Sequence, residues 1–254
     1  MGPSLINTLT FGALTILGLG GTGGCSGSAC AGQSTQAPEE EPEEAVRPAE
    51  VPNACRCPRI IADPNRVYHG AFVGDAITNA NVGSFQTLAD ENLDIGLIFM
   101  AFATGLTFPT SQAQAMSDRG GAIFIKLEPW SWRGQNDNSF PLQGIIDGNY
   151  DNLLERFATG ARDFGQPIFV SFGHEMNVSS NRWYPWQGNP SLYVQAYQHV
   201  HETISDIACN ITWVWNPNID QGNLQAYYPG DANADWAAAD GYSTTIWGGP
   251  MQEL

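Results

Sequence analysis

Short continuous apolar runs alternate along the chain with segments in which apolar residues recur every three or four positions. A continuous run suits a strand that is buried on both faces, whereas the wider spacing is typical of a helix with one apolar face. Alternating strands and helices predict an α/β fold with a parallel sheet. Six runs are candidate strands, at 68–73, 94–102, 121–130, 168–172, 210–218 and 237–242.

The clearest predicted helix covers Tyr150–Phe164, where large apolar residues form one stripe. Asn149 or Asp147 is expected to cap its start, and Gly165 is expected to end it. Another helix is expected after Asn189, whose side chain suits a cap and which is followed by a proline at the first helical position.

Carboxylate, imidazole, amide and aromatic side chains come where these predicted strands end. Glu128 lies near the end of the third run, and Glu175 follows the fourth. In a TIM barrel, the residues at the carboxyl ends of the strands form the active face. The pattern therefore predicts a (β/α)8 TIM barrel with about six βα units in this chain. The other candidate substrate-binding residues at this edge are His174, Asn177, Trp130, Trp183, Tyr184, Trp186 and Trp215.

Two tryptophans share the fifth run, Trp213 and Trp215. We expect only one of them to face the site, and we choose Trp215 because it directly precedes the polar end of the run. Glu128 is expected to hydrogen-bond the wall of the site, and it is also the fallback candidate for a second catalytic carboxylate.

The net charge of −16 argues against nucleic-acid binding, because no basic surface is available to neutralise phosphates. An uncharged substrate is compatible with this charge. Part of the acidity lies in residues 32–58, which are rich in Pro and Glu and poor in large apolar residues. This composition predicts a disordered linker.

Residues 1–31 are predicted to form a secretory or lipoprotein signal, because the apolar stretch is too short and too rich in glycine to span a bilayer. The segment Thr22–Cys25 resembles a lipobox, whereas Ala29–Ala31 offers an ordinary cleavage site. The protein is therefore expected to be exported, and either secreted or anchored to the outer surface by lipid.

Five cysteines in an exported protein suggest disulfides. If Cys25 carries a lipid, then Cys30, Cys55, Cys57 and Cys209 remain. A bridge from Cys55 or Cys57 to Cys209 would tie the amino-terminal segment to the domain, but the sequence leaves the pairing open.

The segment His174–Val178 is not a zinc-protease helix, because the second histidine of H-E-x-x-H is replaced by valine. No metal or other cofactor is predicted. Hydrolysis of a glycosidic bond instead needs a protonated carboxylic acid and a second carboxylate. Glu175 suits the acid, because apolar and aromatic neighbours would raise its pKa.

The motifs Y-H-G-A-F, L-E-P-W, G-N-Y-D, F-G-H-E-M-N, W-Y-P-W, W-V-W-N-P-N, Y-Y-P-G-D and D-G-Y follow one another from residue 68 to 242. In this order they resemble glycoside hydrolase family 26, which includes secreted β-mannanases. The resemblance implies a (β/α)8 barrel, a retaining mechanism, and Glu175 as the general acid/base on strand 4. It further implies that His174 and Asn177 orient this acid, that Trp183 stacks on a sugar, and that Tyr242 lies beside the nucleophile.

The sequence departs from the family pattern in two places. Val178–Arg182 lengthens the loop before W-Y-P-W. The family nucleophile is a glutamate on strand 7, whereas the sequence ends at Leu254, and Glu253 follows Tyr242 too closely to lie on another strand. Residues 59–254 are therefore predicted to be a glycosidase domain that is incomplete at its carboxyl end.

The predicted function is retaining hydrolysis of β-1,4-mannan or a related β-glycan by a monomeric protein, with the polysaccharide as its partner. One alternative is a catalytically inactive relative that binds glycan. The other is a surface-anchored structural protein. The sequence does not distinguish mannan from other β-glycans, or endo from exo action.

Overall fold

The computed structural model describes residues 58–63, 65–179, 182–219 and 222–241, together with the backbone of a two-residue strand at 16–17. The predicted cleavage sites and nearly all of the predicted linker lie outside the described residues. So do Tyr242 and Glu253. Cys209 is disulfide-bonded, and the other four cysteines all lie outside the described residues.

Six parallel strands form one sheet, and a seventh strand, the two-residue strand, pairs antiparallel with its edge. The seven strands are β1 (Ile16–Leu17), β2 (Gly70–Ala71), β3 (Ile95–Ala101), β4 (Ala122–Glu128), β5 (Ile168–Phe172), β6 (Ile211–Trp215) and β7 (Trp236–Ala238). Their order across the sheet is β1-β7-β6-β5-β4-β3-β2. All six predicted strands are present, as β2 to β7, although the first and last are shorter than expected.

Helices connect these strands, as the parallel pairing requires. None of the helices in the described ranges combines the length and apolar character that a membrane crossing needs. Their bounds are α1 (Asn79–Ala89), α2 (Thr110–Ser117), α3 (Leu142–Ile146), α4 (Asp151–Phe164) and α5 (Pro190–Ser205), with 3-10 turns at Phe102–Thr104 and Leu224–Tyr227.

The predicted cap of α5 is confirmed, because the Asn189 side chain accepts a hydrogen bond from the Leu192 backbone at 3.1 Å. The predicted cap of α4 is wrong. Asp147 ends the preceding helix α3, and a left-handed turn at Gly148 follows, so that Tyr150 occupies the cap position without a side-chain bond. The short helix α3 was not predicted.

The sheet curls around an inner face that we call the lumen face. Its lower layer is apolar and packs as one cluster of Ile95, Phe124, Phe169, Val214, Trp236 and Ala238. Side chains alternate between faces along a strand, so Lys126 and Glu128 share the lumen face with Phe124. Lys126 on β4 reaches Asp240, just beyond β7, at 3.3 Å. This contact passes over β5 and β6, and the six strands thus form a curled half-barrel. The predicted α/β barrel fold with about six units is confirmed.

The outer face of the sheet packs against the helices and forms the larger core. Trp213 and Trp215 both lie on this face, because residues two positions apart on a strand point the same way. The expectation that only one of them is directed away from the site is therefore wrong. Gly160 in α4 allows the segment before α2 to approach closely, since a Cβ at Gly160 would lie 2.4 Å from Cβ of Phe108.

Candidate active site

The chain leaves β5 through a tight turn that carries the candidate acid. Gly173 and Glu175 both adopt left-handed backbone conformations, with φ of 55° and 51°. The Glu175 N–H donates to the Asn216 carbonyl at 2.8 Å, which ties the turn to the end of β6. A non-glycine residue in this conformation is uncommon and is retained where the surrounding bonds enforce it.

The Glu175 carboxyl group is buried, with the residue only 3% exposed. Asn218 donates from Nδ2 to Glu175 Oε1 at 3.0 Å. Asn177 in turn fixes Asn218, because it donates from Nδ2 to the Asn218 carbonyl at 2.7 Å and accepts from the Asn218 N–H at 2.9 Å. Asn177 therefore supports the acid indirectly, through Asn218.

The pKa of Glu175 is raised above its ordinary value, first by burial and then by the nearby negative charge of Asp240. Hydrogen bonds from the side chains of Asn218 and Trp183, and the positive charge of Lys126, act in the opposite direction. The net effect favours the protonated form, which a general acid needs.

His174 directly precedes Glu175 in the chain, and its side chain lies near Glu128. Its Nε2 is 3.1 Å from the Tyr184 hydroxyl. Its Nδ1 is 3.9 Å from Glu128 Oε1 and has no hydrogen-bond partner among the described residues. Burial, followed by the charge of Lys126, lowers the pKa of His174 well below its ordinary value. The imidazole is therefore neutral.

Glu128 ends β4 and is as deeply buried as Glu175. The Trp130 indole N–H donates to Glu128 Oε2 at 3.1 Å, as expected for a residue in the wall of the site. Burial raises the pKa of Glu128 to about 7, although Trp130, Lys126 and Trp132 oppose this rise.

Three aromatic residues of the loop after β5 differ in exposure and in their contacts. Trp183 is 52% exposed. Tyr184 stacks on Trp186 with ring centroids 4.4 Å apart and planes 8° apart. Trp186 is buried, and its indole N–H donates to the His174 carbonyl at 2.8 Å. Trp183 can thus stack on a ligand, whereas Trp186 supports the turn and the ring of Tyr184.

Trp215 lies away from the lumen face, which contradicts the prediction that it faces the site. It is half-buried on the outer face, and its indole N–H donates to the Tyr227 carbonyl at 3.1 Å. Its ring packs edge-on against Tyr228, with centroids 5.1 Å apart. Tyr242, the remaining candidate, lies outside the described residues.

Sequence reasoning missed Asn218, described above, and three further polar residues of the site. Buried Gln187 accepts from the Trp183 and Tyr184 backbone N–H groups and donates to the Glu175 carbonyl at 2.8 Å. The other two are Lys126 and Asp240, which form the ion pair across the lumen. Counting alternate positions back from Glu128 would have found Lys126. Asp240 was visible as the first residue of the D-G-Y motif.

A curled parallel sheet that holds a buried carboxyl group of raised pKa beside an exposed tryptophan at its carboxyl edge is typical of barrel-fold glycoside hydrolases. The family model of glycosyl hydrolase family 26 matches residues 146–248. This match assigns residues 146–248, which include Glu175, to the family.

Individual relatives agree with this membership. Endoglucanase H of Acetivibrio thermocellus is 30% identical in an alignment of 200 positions that covers 73% of this chain and 21% of that protein. The YdhT protein from Bacillus subtilis superposes on 70% of this chain and 63% of its own, with a TM-score of 0.57 and 22% identity.

Bacillus subtilis mannanase BCman superposes on 67% of this chain and 61% of its own, with a TM-score of 0.53 and 23% identity. At such identities the two structures bear on the fold alone. The chain spans about a fifth of the curated relative and less than two thirds of either solved structure.

Proposed function

We propose that this chain carries the acid/base half of a retaining glycoside hydrolase site for β-1,4-mannan or a related β-glycan, with Glu175 as the general acid/base. The observation that carries the proposal is the environment of Glu175. A buried carboxyl group of raised pKa ends a parallel strand, accepts a bond from Asn218, and lies beside the exposed Trp183.

In this mechanism Glu175 donates its proton to the glycosidic oxygen as the bond to the leaving sugar breaks. Asn218 holds one carboxyl oxygen, which restricts the direction in which the proton is presented. His174 is neutral, so it adds no positive charge that would promote ionisation of the acid. Gln187 fixes the backbone of Trp183 relative to the Glu175 turn, and so sets the distance between the stacking ring and the acid.

The choice of a β-glycan rests on what the similar proteins are called. One is an endoglucanase and another a mannanase. Both names refer to polysaccharide hydrolysis, and an uncharged glycan suits a protein with a net charge of −16. The two names leave glucan and mannan as candidate substrates of this chain.

A retaining reaction also needs an ionised carboxylate as nucleophile. Among the described residues near Glu175, Glu128 has a pKa of about 7 and Asp240 is paired with Lys126. The Glu128 carboxyl group retains its proton up to about pH 7 and the Asp240 carboxylate is held by Lys126, so we assign that role to neither residue. This observation favours one second candidate function, in which the chain binds glycan without hydrolysing it.

The test compares the 254-residue protein with its Glu175→Gln variant, using Glu155→Gln as an exposed control for the same chemical change. Release of reducing sugar from mannan and from β-glucan measures hydrolysis, and affinity electrophoresis in the same polysaccharides measures binding. We expect Glu175→Gln to slow hydrolysis about 10²- to 10⁴-fold while binding is retained. Unchanged hydrolysis in that variant would refute the acid/base role.

If the parent protein binds glycan but releases no sugar, the binding function replaces the hydrolytic one. If it neither binds nor hydrolyses either polysaccharide, both functions are refuted.

We also propose that the protein is exported as a monomer and is either released or anchored through a lipid on Cys25. Its amino-terminal sequence supports export. Labelling of producing cells with a radioactive fatty acid, compared between the parent and Cys25→Ser, distinguishes the two fates. Recovery of unlabelled protein in the cytosol would refute export.

A further inference from the structure

A second tryptophan at the carboxyl edge is exposed and held in an unfavourable backbone conformation. Trp132 is 58% exposed, and with Trp183 it is one of the two exposed tryptophans in the described part of the chain. Its φ is 59°, in the left-handed region that bulky side chains avoid. Such strain is typical of positions where the surrounding structure holds a residue for binding or catalysis.

The loop that carries Trp132 is organised around one buried carboxylate. Asp137 accepts hydrogen bonds from the Ser131 N–H at 2.6 Å, the Ser131 hydroxyl at 2.8 Å and the Arg133 N–H at 3.3 Å. It also accepts from the Ser139 N–H at 2.9 Å. Because the residues on both sides of Trp132 are tied to the same side chain, the left-handed conformation is enforced and the indole is kept at the surface.

The position of this loop connects Trp132 with the candidate active site. Trp130, two residues earlier, bonds to Glu128 and contacts Tyr184 with ring centroids 5.1 Å apart. Tyr184 in turn contacts Trp183 at 6.4 Å. A row of aromatic rings therefore runs along the edge from the loop after β4 to the loop after β5. The Trp132 side chain also acts on the Glu128 carboxyl group and opposes the rise of its pKa.

We propose that Trp132 is a second sugar-stacking platform, which binds a pyranose unit of the same β-linked glycan chain that contacts Trp183. An exposed indole offers a flat apolar face to the C–H groups of a sugar ring, and it loses little conformational freedom on binding. The inference rests on the proposed function, because it assigns a further binding position to that site.

The experiment uses the full 254-residue protein with nitrogen-15 in its tryptophan indoles and manno- and gluco-hexaose as probes. The Trp132 and Trp183 indole signals are assigned by their loss in Trp132→Phe and Trp183→Phe. We expect both signals to shift on addition of at least one hexaose. Calorimetry should show about tenfold weaker binding for Trp132→Ala and a smaller change for Trp132→Phe, which keeps an aromatic face.

Two further variants guard against an effect on folding. Trp132→Gly accepts the left-handed backbone freely, so it should lose the same affinity without unfolding. Leu88→Ala removes an exposed apolar side chain from α1, away from the site, and should leave affinity unchanged.

The outcomes separate this inference from the proposed function. If the Trp183 signal shifts while that of Trp132 does not, and Trp132→Ala binds as the parent does, this inference is refuted and the proposed function stands. If neither signal shifts and neither polysaccharide is bound or hydrolysed, the proposed function and this inference are both refuted.

Discussion

Replacing Glu128 by Gln should change how the stability of the protein depends on pH. The native Glu128 carboxyl group has a pKa of about 7 against an ordinary value of 4.5, chiefly because it is buried. The native state therefore holds this proton through a pH range in which the unfolded chain has released it. Between about pH 4.5 and pH 7, the contribution of Glu128 to the stability of the parent protein therefore falls as the pH rises.

The size of this loss follows from the two pKa values. Each tenfold change in a proton-dissociation constant corresponds to about 1.4 kcal/mol. The rise to about 7 thus corresponds to about 3 kcal/mol of stability that is present at pH 4 and absent above pH 7. A Gln side chain has no proton to lose, and it can still accept the hydrogen bond from Trp130.

Urea denaturation of the parent and Glu128→Gln at pH 4, 6 and 8 measures the effect. The variant should gain about 3 kcal/mol relative to the parent between pH 4 and pH 8, whatever constant offset the substitution adds. Glu155→Gln, at an exposed position, serves as the control and should show no comparable trend. A stability difference that stays constant from pH 4 to pH 8 would show that burial does not hold the proton on Glu128.

Further substitutions test the lumen ion pair and the packing of α4. Lys126→Met leaves the partly buried Asp240 without its partner and should cost about 3 kcal/mol in urea denaturation, most of which should return in the Lys126→Met/Asp240→Asn double variant. Full stability in the single variant would contradict the pairing. Gly160→Ala places a methyl group 2.4 Å from Cβ of Phe108 and should lower stability by about 1 to 3 kcal/mol. Gly83→Ala, in α1 with open space around it, should instead raise stability by about 1 kcal/mol, and equal effects at the two glycines would refute this packing argument.

The positions of the strands along the chain were predictable, because a strand that is buried on both faces appears in the sequence as a continuous apolar run. The apolar run 168–172 matches β5, and the change to polar residues after it correctly located Glu175 at the end of a parallel strand. The cap of α5 was predictable for a similar reason, since a cap depends on residues only three positions apart.

Contacts between distant segments were not predictable in this way. The chain places Asn177 and Asn218 41 positions apart, and nothing local shows that one holds the other beneath Glu175. Trp132 also gave no signal, because neither exposure nor a left-handed backbone can be seen in an apolar pattern. The wrong choice of Trp215 was avoidable, since the two-residue period of a strand places it on the same face as Trp213.

The ion pair between Lys126 and Asp240 joins residues that are 114 positions apart. Both charges act on the pKa of Glu175. Glu175 therefore reaches its native pKa only when the segment after β7 has come into contact with β4. Long-range closure of this kind is slow compared with helix formation. We therefore expect Glu175 to reach its native environment late in folding. During refolding, Glu175 should become protected from carbodiimide labelling after the helical circular dichroism signal has recovered, and simultaneous recovery would contradict this order.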